Sequence, residues 1–160
     1  MALNLNNLTI SHNDLIQELK YNNIKFIITY NKAGRFYGWG GIHPTLDIIV
    51  DNALPNLLNL SRILNLPKNK IKELRKGNTV SLINELNQKI LTIWTVIGYR
   101  NFQDFTFNEF EEYKIISKKD LIDTIKYNSE HIELRAKLAL EEDILKDDSI
   151  LIAFYKSVKG

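Results

Sequence analysis

The chain contains no cysteine in 160 residues, and this absence limits how it can fold more than any motif does. Disulfides, thiolate metal sites and cysteine nucleophiles are all excluded, so an apolar core alone must hold the structure. The length suits one such core, because a domain of this size buries roughly 70% of the surface its unfolded chain exposes. The hydrophobic fraction of 44% and the charged fraction of 25% are those of an ordinary globular chain. A single domain over residues 1–160 is expected, with no metal and no cofactor. Met1–Ile10 lacks the basic start and apolar centre of a signal peptide. The longest apolar runs, such as Ile90–Gly98, are too short to span a bilayer. The expected location is cytoplasmic, with no membrane partner.

The composition leans toward residues with A/T-rich codons: 18 Asn, 22 Ile and 16 Lys stand against 5 Arg. A lysine-rich surface therefore carries less functional information here than usual. The net charge of +2 conceals an uneven distribution. Residues 56–100 carry eight bases and two acids, whereas residues 101–148 carry seven bases and thirteen acids. The basic middle can either face an anionic partner or be neutralised by the acidic part within the fold.

Local signals give the expected elements. Ser11 with Asp14 has the form of a capping box, opening a helix from His12 to Tyr21 that Asn22-Asn23 stops. Ile24–Tyr30 reads as a strand, Asn31–Gly34 as a turn, and Arg35–Trp39 as the returning strand of a hairpin. Thr45–Asn65 reads as helical, broken near Pro55. Pro67 opens the next helix and Gly77 closes it. Val80, Ile83, Leu86, Ile90, Trp94 and Ile97 recur every three or four residues, which predicts a long central helix capped by Thr79. Thr106 with Glu109 predicts a short helix to Tyr113, and Ser117 with Asp120 one to Tyr127. A helix is expected over 130–146, and a final strand or helix over 150–158. The fold class this implies is α+β: a mainly helical single domain with a small antiparallel sheet, made of the N-terminal hairpin and, where residues 150–158 form a strand, that C-terminal strand.

Residues 57–76 read LLNLSRILNLPKNKIKELRK. Two helices that cross closely need a small residue at the contact, apolar residues either side of a tight turn, and a turn residue tolerant of the left-handed conformation. Leu60 points inward beside the small Ser61. Leu64 and Leu66 flank Asn65, and Asn suits that turn. Ile71 and Leu74 face back from the second helix. Over residues 57–86 the segment resembles the helix-turn-helix of the phage-repressor (Xre-like) class. It departs from that pattern where Asn65 replaces the usual Gly, Pro67 the usual Ser or Thr, and Arg75-Lys76 an acid. The resemblance implies duplex DNA as partner, with homodimerisation open. It also implies that Asn69 reads an adenine edge, that Lys68 and Lys72 contact guanine or phosphate, and that Arg62 and Arg75 hold the backbone. Lys70 and Lys76 complete the candidate nucleic-acid-binding set.

A second candidate surface is Arg35, Tyr37 and Trp39, which alternation places on one face of the expected strand. One arginine and two aromatics on an exposed face can stack a base or grip a partner peptide, or the rings can simply cover the sheet. The histidines His12, His43 and His131 show no metal-ligand spacing. The acidic clusters at Glu109–Glu112 and Glu141–Asp143 fit solvated helix faces, or a surface that imitates nucleic acid toward a basic protein. No catalytic constellation is visible. The sequence thus points to a small nucleic-acid-binding regulator using Arg62–Lys76. Its alternative is a non-enzymatic inhibitor or adaptor acting through residues 35–41 or the acidic C-terminal helices.

Overall fold

The computed structural model describes residues 12–37, 45–83, 87–110 and 112–127. Isoleucine-rich strands form its centre. In β1 (Phe26–Thr29) and β2 (Leu46–Val50) every residue is buried, as in strands covered on both faces. They pair antiparallel, with Phe26 opposite Val50 and Thr29 opposite Asp47. β4 (Lys89–Trp94) runs parallel to β2, and β8 (Tyr113–Ile116) runs parallel to β1. β3 (Val80–Ile83) and β7 (Phe107–Phe110) add antiparallel to β4 and β8. The order is β3-β4-β2-β1-β8-β7, so the β1–β2 seam joins two halves with matching strand directions. A separate ribbon pairs β5 (Val96–Ile97) with β6 (Arg100–Asn101). A 3-10 turn, Phe102–Asp104, follows it.

Five helices accompany the strands among the described residues: α1 (His12–Tyr21), α2 (Tyr30–Phe36), α3 (Leu54–Leu64), α4 (Lys68–Arg75) and α5 (Lys118–Tyr127). α1 has the expected bounds and buries Leu15, Ile16 and Leu19. It ends where Asn23 takes φ 59°, as the Asn pair predicts. α5 begins as expected, with Ser117 Oγ accepting the Asp120 N–H at 3.2 Å. No helix among the described residues is long and apolar enough to cross a membrane.

The expected fold class is overturned: the chain carries a six-stranded mixed sheet, not a small antiparallel one beside a helical bundle. The predicted central helix is β3, β4 and β5. Its Val, Ile, Thr and Trp residues favour strands, where branched and aromatic side chains pack on a pleated surface. Asn87, at φ 62°, lies in the connection between β3 and β4. The second strand of the expected hairpin is instead α2, whose small Ala33 and Gly34 are buried as the helix packs against β1 and β2. The predicted helix over 106–113 is the β7–β8 hairpin, turning at Glu112 with φ 70°. The expected elements over 130–146 and 150–158 lie outside the described residues.

Candidate nucleic-acid interface

The segment expected to form two crossing helices does so, up to residue 76. α3 starts from a buried anchor: Asn56 sits in its first turn, and Pro55 there lacks only an N–H the first turn does not use. Leu57, Leu60, Ile63 and Leu64 face the core, and each such burial stabilises by about 1.5–3 kcal/mol. Asn65 ends the helix in the left-handed region, at φ 55° and ψ 43°. The Leu66 N–H then returns to the Ser61 carbonyl at 3.0 Å. Leu64 and Leu66, either side of the turn, are both buried. Pro67 stands just before α4, at φ −70°. In α4, Leu74 is buried and Ile71 half-buried. Gly77, at φ 89°, closes the helix: its N–H bonds the Leu74 carbonyl, and the Asn78 N–H bonds that of Glu73. This is the paired bonding of a Schellman motif. Beyond Gly77 the expected helix is absent over Val80–Ile83, which form β3, and residues 84–86 lie outside the described residues.

The burial of α4 fixes what it displays. At about 100° per residue, the face opposite Leu74 and Ile71 centres on Asn69, Lys72 and Lys76. Lys68, Lys70 and Arg75 flank that face. These six residues and Arg62 of α3 are all exposed. The Arg62 guanidinium donates to Asn59 Oδ1, and Arg75 reaches the Asn52 carbonyl at 3.5 Å. Glu73, the acid among them, is half-buried and accepts from Asn78 Nδ2 at 2.6 Å. Among the described residues, Lys20 pairs with Glu112, and Arg100 with Asp120 and Asp123. These three acids of the acidic part thus meet Lys20 and Arg100, not the cations of α3 and α4.

The β5–β6 ribbon supports α4 from below. Buried Thr95 donates its hydroxyl hydrogen to the Leu74 carbonyl at 2.8 Å, a second bond to the acceptor that already takes the Gly77 N–H. Val96 Cγ2 stands 3.4 Å from where a Cβ on Gly77 would lie. Asp120 holds the far side of the ribbon: its carboxylate takes Arg100 at 2.9 Å, the Thr106 N–H at 2.6 Å and the Thr106 hydroxyl at 2.7 Å. Burial alone pushes the Asp120 carboxyl up, but the Thr106 and Arg100 hydrogen bonds bring it below the ordinary carboxylate range.

The second candidate surface is not a strand face, because residues 30–36 are helical. Arg35 is exposed on α2, whereas Tyr37 is half-buried at its end. The Tyr37 hydroxyl donates to the Ile116 carbonyl at 2.6 Å and accepts from Asn108 Nδ2 at 3.1 Å. Its ring meets Phe110 edge-on, at 6.0 Å between centroids. Tyr37 therefore ties α2 to β7 and β8, while Trp39, like His43 and His131, lies outside the described residues. Burial, and then the nearby Arg35 charge, lower the Lys32 ammonium below its ordinary range. Sequence reasoning also missed a polar row across the sheet. Register aligns Thr29, Asp47, Thr92 and Ser81 on one face of four neighbouring strands, and Trp94 Nε1 donates to Asp47 at 3.4 Å. Alternating polar residues at 29, 47, 81 and 92 were its only trace in the sequence. No group of three or more His, Asp or Glu among the described residues is placed to hold a metal. No protein-family model, no curated protein and no solved structure matches the chain, so its function rests on this geometry.

Proposed function

We propose that the protein binds nucleic acid through the exposed face of α3, the Asn65 turn and α4. One observation carries the reading. Arg62, Lys68, Lys70, Lys72, Arg75 and Lys76 are all exposed, and among the described residues none is paired with a carboxylate. Solvated cations of this kind bind phosphates by releasing the counterions condensed on them. An α-helix with its side chains is about 10–12 Å across, which matches a major groove about 12 Å wide. Asn69 and Lys72, central on the outward face, are directed at base edges. Arg62, Lys70, Arg75 and Lys76 hold the backbone, which positions the helix without specifying sequence.

The test is fluorescence anisotropy with labelled duplex and single-stranded probes at two salt concentrations. The four phosphate contacts of Arg62, Lys70, Arg75 and Lys76 correspond to a slope of log K on log salt of about −3.6, so a fourfold rise in salt weakens duplex binding roughly 150-fold. A Lys68→Glu/Lys72→Glu/Arg75→Glu variant loses the binding. Wild-type protein that binds neither probe at low salt, or a variant that binds like wild type, would end this reading.

A further inference from the structure

On the ribbon that braces α4 stands an aromatic ring that the core does not use. Tyr99 is 97% exposed, at the Gly98-Tyr99 tip of the β5–β6 ribbon, where Gly98 takes φ 65°. The ribbon beneath it is fixed on both sides. Thr95 and Val96 bind the C-terminal end of α4. Arg100, next to Tyr99, is held by Asp120, by the Asp104 carbonyl at 2.7 Å, and by the Phe105 ring, 4.4 Å from its guanidinium carbon. Tyr99 is three residues from Val96, so their Cα atoms lie within about 11 Å of each other. Val96 lies close to Gly77, which follows Lys76. The ring is thus offered to solvent on a fixed ribbon that braces the C-terminal end of α4.

We propose that Tyr99 stacks on an unpaired base of a single-stranded nucleic acid whose phosphates run along α4. The proposal rests on the nucleic-acid reading above and adds a single-stranded ligand to the duplex mode described there. Two physical points favour it. A cationic track with an aromatic platform at its end is the combination that single-strand binders use, and stacking tolerates any base because every base has a π-face. A tyrosine has only two side-chain torsions to order, so the ring binds at low entropic cost. In an intact duplex the base faces are already stacked on their neighbours, and the ring gains nothing there.

The experiment titrates an oligothymidylate of about 12 nucleotides, within the footprint of single-strand binders, and a duplex of the same length. Wild type, Tyr99→Ala, Tyr99→Phe and the α4 triple variant are compared. Tyr99→Ala is expected to weaken single-strand binding roughly 5- to 150-fold, the equivalent of about 1–3 kcal/mol for one stacked base. Duplex binding should change less than about twofold and the salt slope should stay the same, since no phosphate contact is lost. Tyr99→Phe keeps wild-type affinity, because the ring face does the stacking. Tyr99→Ala protein that binds the single strand like wild type overturns the proposal while leaving the α4 reading intact. Equal losses on both probes also overturn it, and mark Tyr99 as a duplex contact. Absence of wild-type binding to either probe removes the parent reading instead.

Discussion

Asn56 offers the sharpest test of how the α3–α4 platform is held. Its side chain is buried in the first turn of α3. Oδ1 accepts the Lys25 N–H at 2.8 Å, while Nδ2 donates to the Asp51 carbonyl at 2.8 Å and the Lys25 carbonyl at 3.2 Å. The last backbone rung between the strands, Asp51 N–H to the Lys25 carbonyl, is 3.1 Å long. Beyond it the amide of Asn56 takes over the ladder and ties the helix to the sheet. Asn56→Ala removes three hydrogen bonds and strands the Lys25 N–H and the Asp51 carbonyl. With about 1 kcal/mol net per bond and more for buried orphans, the loss should be roughly 2–4 kcal/mol. That is a large share of the about 5–15 kcal/mol that holds a typical domain. In urea, with a slope of about 2 kcal/mol per molar, the midpoint falls by roughly 1–2 M at unchanged slope. The discriminating variant is Asn56→Asp, which keeps shape and one acceptor but sets a carboxylate oxygen against two carbonyls. It should be at least as destabilised as Asn56→Ala at pH 7, and should recover part of the loss at low pH, when a protonated acid can donate. An Asn56→Asp protein as stable as wild type at pH 7 would refute the reasoning.

Two other substitutions probe the elements around the basic face. Asn65→Ala should destabilise by about 1 kcal/mol, because a Cβ without a compensating polar group strains the left-handed turn, whereas Asn65→Gly should match or exceed wild type. Equal urea midpoints for Ala and wild type would count against that conformation at residue 65. Asp120 has its folded-state pKa lowered, so its contribution is fully present above the unfolded carboxylate range near pH 4 and is lost as pH falls through the folded value. Asp120→Asn should therefore flatten the acid limb of a stability–pH curve, and parallel curves for the two proteins would show the linkage to be absent.

The parts of the structure that local chemistry encodes were legible in the sequence. α1 and α5 follow from their caps and three-to-four spacing. The pair α3–α4 follows from Leu60, Asn65, Leu74 and Gly77, each of which serves a local geometric need. The sheet was not legible, because its pairings are non-local. β2 finds β4 across more than forty residues, as Leu46 pairs with Leu91. β3 and β4 carry their apolar residues without strict alternation of buried and exposed positions, so Val80, Ile83, Ile90, Trp94 and Ile97 also satisfy a helical period. α2 is a tertiary override of strand propensity. Phe36 stacks on Phe110, and Tyr37 bonds the Ile116 carbonyl, contacts that no window around residue 36 contains. In the candidate site, the cations were visible as a cluster. Tyr99 was not, because it stood at the end of a supposed helix, and only the turn at Gly98 isolates it.

The central seam also sets the order in which the chain can complete itself. β1 finds its outer neighbour only at Ile115, paired with Ile28, so 87 residues separate the partners. At roughly 5–20 residues per second, a ribosome needs about 4–17 s to span that gap. Throughout this interval the apolar run Phe26-Ile27-Ile28-Thr29 has one unmated edge, the kind of edge that recruits other extended segments. The β7–β8 hairpin is the piece that shields it. Nascent protein thus passes through a window in which chaperone capture competes with self-association, and the window closes with the arrival of β8.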